Sequence, residues 1–411
     1  MTIRLRAALL AGALFTTGGG VLAQPVTLDE AVRRATETAP ALSAREAGIA
    51  AARANRDQAA VRPNPSVTVE GENLVGTGPY DVLRQSELTV TYSQPIERGG
   101  KRDARVALAE RSIGVSEAAM RVTRLDLAAA VQRAYIDAQI GNEVVRIAAY
   151  RLRVEQETQR EALRRVRGYK DPLFVETRAA ARVAQAELGL NEAIARQTKA
   201  RVLLASYWGG TGEAVEVEAG IAFTGRSDDL AAADQDLRTA EIDRARAAVV
   251  VEQTRSKQDY AVNGGARYLR GTGDVAVVAG VTIPLGRFDR NQGNIARAQA
   301  ERQQLEFMAE ADRLDRLRRL AALGAEADAA RARAEGLMSQ VFPKTTKTLD
   351  QVRWGYNRGG FNFRDVQDAA DAILEVQDQW VDAMTRYRDL QSEIDRLTGR
   401  FDAPQPVETM P

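Results

Sequence analysis

From Gly100 to Arg167 the chain runs without a proline, and Ile113, Met120, Leu127, Ala134, Gly141 and Ala148 recur through that stretch at seven-residue spacing. Companion positions Val131, Ala138, Val145 and Leu152 keep the same period. A seven-residue apolar repeat is the seam of a coiled coil, and small residues within it let helices pack closely. At about 1.5 Å per residue such a helix reaches about 100 Å, longer than a compact domain accommodates. A second stretch, Asn291 to about Arg353, reads as helix apart from Gly324, Gly336 and a break expected at Pro343. Each rod turns at a glycine-containing tip, Gly168 and Tyr169 to Pro172 in the first and Gly355 through Gly359 to Gly360 in the second. Each then returns as an Ala-rich helix, and two hairpins of this length must pack side by side or stack into a tube.

Chemistry is narrowed by two absences. With no Cys and no His among the 411 residues, there are no disulfides, thiol nucleophiles, thiolate metal sites or imidazole acids, bases and ligands. No cofactor, catalytic residue or bound metal is expected, and soft-ligand coordination is excluded. A formal net charge of +1 argues against a nucleic-acid partner, which needs a strong basic surface. A hydrolase built on paired carboxylates is conceivable, but no pocket-forming pattern surrounds any such pair.

The N-terminus reads as an address. Arg4 and Arg6 precede the apolar run Ala7 to Phe15, and Val21-Leu22-Ala23 ends in small residues suited to cleavage before Gln24, so residues 1–23 are expected to be a secretory signal peptide. The interruption at Thr16, Thr17 and Gly18 to Gly20 leaves the run short of the ~20 residues a spanning helix needs. No later segment reaches that length, so entry into a membrane would require β-strands.

The chain also repeats itself. Leu42 and Glu46 find counterparts in Leu237 and Glu241, Pro95-Ile96-Glu97-Arg98 in Pro284-Leu285-Gly286-Arg287, and Arg167-Gly168-Tyr169 in Trp354-Gly355-Tyr356, in the same order and at nearly constant offset. The expected organisation is a first repeat over 24–227 and a second over 228–399, followed by a tail over 400–411. The first holds strands at about 66–75 and 86–96 and a long hairpin at 100–206; the second holds strands at about 259–269 and 274–284 and a hairpin at 291–399. Leu88, Val90 and Tyr92 alternate with Glu87, Thr89, Thr91 and Ser93, and Val67 and Val69 with Thr68 and Glu70. Tyr260, Val262, Ala266 and Tyr268 share one face of their strand, as do Val275, Val277, Ala279, Val281 and Ile283 of the next. Strands of about ten residues with one apolar face suit a tilted membrane crossing. Alternation alone equally fits a small sheet packed on helices in a soluble protein. Four strands cannot close a membrane barrel, which takes about eight, and open edges are not tolerated in lipid. Membrane strands would therefore require oligomerisation.

This duplicated plan of strand pair and long hairpin resembles the TolC-like outer membrane efflux proteins from Val26 to about Gly399. Gln94-Pro95-Ile96-Glu97-Arg98-Gly99-Gly100-Lys101-Arg102 and Phe288-Asp289-Arg290-Asn291-Gln292-Gly293-Asn294 resemble the strand-to-helix junctions of its heavy-metal branch, the outer component of cobalt–zinc–cadmium type pumps. The resemblance implies a mainly α fold with a small β part: duplicated long helical hairpins plus four transmembrane strands, completed in a homotrimer as a twelve-stranded barrel in outer-membrane lipid above a helical tunnel through the periplasm. Implied partners are a periplasmic adaptor (membrane fusion) protein and an inner-membrane, proton-driven resistance-nodulation-division pump. Drug export or protein secretion by the same architecture, and a periplasmic coiled-coil adaptor, are the alternatives.

At the junctions Pro95, Arg98, Gly99, Gly100, Pro284 and Arg287 must turn a strand into a helix, proline ending ladder pairing and glycine permitting the bend. At the second tip the resemblance implies a gate. Tyr356 takes part in closing the periplasmic entrance, and Asp365 and Asp368, i and i+3 on one helix face, line it as stacked anionic rings that favour cations. A solvated helix face is the plainer reading of the same two carboxylates. Where well-known members carry a closing arginine this chain has Phe361, with Arg358 and Arg364 nearby as substitutes, and Glu176 is the expected acidic partner from the first hairpin.

Overall fold

The computed structural model describes residues 25–210, 215–220, 223, 225, 227 and 229–402; the expected signal peptide lies outside them. In chain order the elements are α1 (Leu28–Thr38), α2 (Pro40–Ala59), β1 (Ser66–Glu72), β2 (Glu87–Ile96), α3 (Lys101–Arg167), α4 (Phe174–Ser206), α5 (Ala232–Arg255), β3 (Tyr260–Leu269), β4 (Asp274–Thr282), α6 (Gln292–Gly336), α7 (Phe342–Arg358) and α8 (Phe363–Thr398). The first rod is one helix of 67 residues. The second is jointed where Pro343 was expected to break it: α6 passes through a π-helical turn at Leu337–Val341, and Pro343 sits in the first turn of α7. An N-terminal helical position has no intrahelical use for the missing N–H, so proline is accommodated there and the rod continues.

Packing explains why α3 stays helical over its length. It lies against α1, α2, α4, α5 and α8, so it buries more than one stripe. Val131, Ala138 and Gly141 of the predicted seam are buried, but so is a parallel line through Ala118, Leu125, Gln132 and Gln139. Both glutamine amides find acceptors there: Gln132 Nε2 donates to Asp395 Oδ2 at 2.6 Å, and Gln139 Nε2 to the carbonyls of Glu218 and Gly220 at 3.1 Å. Gly141 lets α4 approach closely, since a Cβ there would sit 3.1 Å from Gln197 Cα. Midway along the rod Val26 bridges Val217, and the Tyr135 hydroxyl donates to the Val26 carbonyl at 3.0 Å. Buried Asp234 joins three helices, bonding Arg316 at 2.5 Å and Arg396 at 2.7 Å. Burial alone would raise its pKa, but the two guanidinium groups hold it below the ordinary carboxylate range.

The strands form one antiparallel sheet in the order β1-β2-β3-β4. Its register sets Val69 against Val90, Val90 against Ala266 and Ala266 against Val277 in one row across all four strands. The apolar residues of both strand pairs therefore share a single face, and that face is bare: Val67 is 64% exposed and Val277 87%. The opposite face is polar, with Arg267 bonded to Glu87 at 2.9 Å and to Thr89 at 3.0 Å. β1 is seven residues, shorter than predicted. Among the described residues the outer edges of β1 and β4 have no strand partner.

The two junctions differ. Pro95 does not end β2, which stays paired with β3 through Pro95↔Ala261 to Ile96; only the β1 side stops, at Ser93. Gly99 and Gly100 follow with φ of +69° and +74°, a left-handed pair that side chains with a Cβ resist. Arg98 is fastened beside them: its N–H donates to Asp259 Oδ1 at 3.0 Å, and its guanidinium bonds the Tyr260 hydroxyl and lies 4.2 Å over that ring. Lys101 pairs with Asp259 at 2.8 Å. In the second junction Pro284 lies beyond β4, and Arg287 stacks on its neighbour Phe288, 5.5 Å from the ring.

Candidate functional site

The two hairpin tips meet at the end of the rods away from the sheet. α3 closes with Arg164, Arg165 and Arg167 in its last turn, cations placed at the negative end of a helix dipole. The chain then turns through Gly168 and Tyr169; the left-handed residue is Tyr169, with φ +57°, while Gly168 has φ −85°. Tyr169 is 98% exposed. Beyond it Asp171 folds back, and Arg165 grips it with Nε–Oδ2 at 3.0 Å and Nη2–Oδ1 at 3.1 Å.

The second tip is built otherwise. α7 ends at Gly359, φ +85°, whose N–H returns to Tyr356 O at 3.0 Å while that of Gly360 returns to Gly355 O at 2.9 Å. Gly355 carries no side chain because the Phe361 ring lies where its Cβ would be. α8 begins with a capping box: Asn362 Oδ1 accepts from Asp365 N at 3.1 Å, and Asp365 Oδ2 accepts from Asn362 N at 2.8 Å.

Tyr356 joins the tips. It is wholly buried among Ala162, Val175, Ala179, Phe363 and Val366. Its hydroxyl donates to Asp171 Oδ2, its carbonyl accepts from Arg165 Nη1, and the guanidinium lies 4.3 Å over its ring. Burial pushes the Tyr356 hydroxyl up in pKa, and the Asp171 carboxylate that it bonds pushes it further. Burial works to raise Asp171 too, but bonds from Arg165 and Tyr356 outweigh it and leave that carboxyl below the usual range. Higher on the rods Arg353 donates to Glu157 at 2.9 Å and Val154 O at 3.2 Å, Arg182 spans Glu155 and Asp371, and Arg151 reaches Asp378 at 2.5 Å. All of these tie the first hairpin to the second.

The predicted site residues are thus distributed over two jobs. Tyr356 is a contact between hairpins of one chain, and its acidic partner is Asp171, not Glu176, which sits in the first turn of α4. Asp365 and Asp368 do lie on one side of α8, but one carboxylate is a helix cap and the other, exposed, faces Arg364 at 3.9 Å. Neither expected substitute for the closing arginine crosses the tip: Arg358 lies 3.6 Å over Trp354 and Arg364 stays on α8. The arginine that binds across is Arg165, which no local pattern distinguishes from Arg164 and Arg167. Among the described residues no group of three carboxylates converges on a metal-sized space, and no helix is long and apolar enough to cross a membrane.

A sheet with one bare apolar face, continued as two very long helical hairpins that latch at the far end, defines a channel subunit of the outer membrane. A profile of the family described as outer membrane efflux protein matches residues 31–210. The cobalt-zinc-cadmium resistance protein CzcC of Cupriavidus metallidurans is 31% identical over 92% of this chain and 91% of its own. The nickel-cobalt-cadmium resistance protein NccC of Alcaligenes xylosoxydans xylosoxydans is 26% identical over 69% of this chain and 66% of its own. The outer-membrane channel OprN superposes with a TM-score of 0.75 at 19% identity, covering 92% of this chain and 91% of that one. The chain belongs to the outer membrane efflux protein family: it is a transport protein of the outer membrane that extends into the periplasm.

Proposed function

We propose that three copies of this chain form a passive exit duct for divalent heavy-metal cations. An inner-membrane, proton-driven resistance-nodulation-division pump delivers the ions through a periplasmic adaptor. One observation carries the assembly: the sheet is apolar over one face and, among the described residues, unpaired at both edges, β1 and β4. In lipid each unpaired backbone group costs several kcal/mol, so the edge of one copy must be met by the edge of the next. Three four-stranded sheets supply the twelve strands of a barrel. The cargo assignment rests on the relatives, whose names specify cobalt, zinc, cadmium and nickel resistance. The duct performs no chemistry and holds no ion tightly; selection falls to its partners.

The tips form the periplasmic gate. Tyr356, Asp171 and Arg165 hold the two hairpins together, and Asp365 and Asp368, repeated by symmetry, line the opening with negative charge that favours cations. The test is conductance of the purified protein in planar bilayers. The double variant Asp365→Asn and Asp368→Asn is the right probe, because asparagine keeps a cap acceptor at 365 while removing the charge. Stable pores with a weakened cation preference in the variant are expected. An unchanged preference removes the ring, and absence of pores removes the channel assembly.

A further inference from the structure

The second strand-to-helix junction carries an apolar and cationic surface that the first lacks. Every residue from 281 to 290 is exposed, including Ile283 at 53%, Leu285 at 87% and Phe288 at 86%. Arg287 and Arg290 stand beside them, and among the described residues neither has a carboxylate within ion-pair distance. Asp289 is the one acid in this stretch, and its Oδ1 accepts from Asn291 N at 2.8 Å. The segment is nonetheless held in place. Gly286 lies so close to Gln258 that a Cβ would come within 2.8 Å of its Nε2, and Asn291 donates to Glu252 O at 2.8 Å and Glu252 Oε2 at 2.7 Å. In the first junction the equivalent stretch is folded down: Arg98 bonds Tyr260, Lys101 bonds Asp259 and Glu97 bonds Arg105.

We propose that residues 283–290 are a membrane-interface wedge that seats each subunit in the periplasmic leaflet of the outer membrane, Leu285 and Phe288 entering the acyl boundary and Arg287 and Arg290 meeting phospholipid phosphates. Two observations favour lipid over a second copy of the chain. The segment follows directly on β4, whose Val277 and Val281 lie on the bare face of the sheet, so it starts from the lipid-facing band, whereas a neighbouring copy approaches from the strand edge. Apolar side chains flanked by unpaired guanidinium groups also match an interface where an aromatic ring sits at headgroup depth and arginine reaches the phosphates.

The inference rests on the lipid-facing reading of the sheet, and the experiment separates the two. The cysteine-free chain accepts single labels at Phe288→Cys, Val277→Cys and Phe307→Cys, the last on α6 in the periplasmic rod. Each full-length variant, carrying a small environment-sensitive fluorophore, is reconstituted in vesicles of phosphatidylethanolamine and phosphatidylglycerol. It is then exposed in turn to nitroxide-bearing lipid and to aqueous iodide. The label at 288 is expected to lose roughly half its emission to the lipid-borne quencher and to resist iodide, like 277 and unlike 307. If 277 is lipid-quenched while 288 follows 307 into water, or is shielded from both quenchers by a neighbouring copy, the wedge is overturned and the sheet reading stands. If 277 itself is not lipid-quenched, the sheet reading fails and the wedge with it.

Discussion

The two hairpin tips occupy matching places at the ends of their rods, yet they are stabilised by opposite means. The first keeps a left-handed tyrosine in full solvent and spends its polar groups outward from the turn, with Arg165 and Asp171 reaching for the other hairpin. The second is self-contained, closed by left-handed Gly359, a capping box and the Phe361 ring over Gly355, and contributes Tyr356 to the polar contact and Phe363 and Val366 to the packing around it. The first tip is therefore held largely by what it touches, the second largely by its own backbone. Hairpins joined in this way can part at the contact without the second losing its shape.

The sharpest way to break that comparison is at Tyr356. Replacing a fully buried aromatic by alanine costs about 3–5 kcal/mol, and here also leaves Asp171 without its hydroxyl donor and Arg165 without the ring beneath it. In a large membrane assembly no single unfolding free energy is defined, so the cost is read locally, as hydrogen exchange at the tips. Tyr356→Ala is expected to raise exchange in the first tip, residues 168–173, by about two orders of magnitude or more. The capped turn at 359–365 should change far less. Equal loosening of both tips would show that the second is not self-supporting. Tyr356→Phe, which keeps the ring and removes one hydrogen bond to a carboxylate, should cost about 1.5–3 kcal/mol.

Protonation tests the same contact without mutation, and more gently. The folded pKa of Asp171 is lowered, so its contribution is complete above the unfolded value of about 4 and is lost as pH falls through the folded one. The folded pKa of Tyr356 is raised, so its contribution is complete below about 10 and is lost as pH climbs beyond that. Tip protection should therefore be flat between those limits and fall on either side, with Asp171→Asn abolishing the acid limb. A slope within the neutral range would assign the contact to other groups.

How far these differences could be read in the sequence follows from their range. The heptads of α3 and the alternation in β2 and β3 are local periodicities, and the elements appeared close to where the periodicities placed them. The register that unites Val67, Val90, Ala266 and Val277 on one face follows from those alternations once the strands are set side by side. The grip of Arg165 on Tyr356 is another matter. It joins residues 191 apart in the chain, and each partner has local neighbours of the same type, so nothing short of the packed hairpins selects it. Gln132 and Gln139 were hidden for a related reason: polar residues at buried heptad positions look like solvated ones until their partners, Asp395 and the carbonyls of 218 and 220, are in place. Pro343 misled because proline is forbidden in a helix interior but not in the first turn that follows a π-turn.

The smallest effect separates backbone from contact most cleanly. Tyr169 and Gly359 occupy the same left-handed region, φ +57° and +85°, one with a side chain and one without. A Cβ at Gly359 would meet open space, so Gly359→Ala isolates the conformational penalty, about 1–2 kcal/mol against the second tip. At Tyr169 the reverse change relieves that penalty but gives the unfolded chain the freedom of glycine, worth about 0.4–1 kcal/mol in the other direction. Tyr169→Gly should thus leave the first tip unchanged or firmer by about 1 kcal/mol at most, because an almost fully exposed ring contributes no packing of its own. A clear loss would mean that the tyrosine is covered in the assembled protein, and that the first tip, like its latch, is completed from outside.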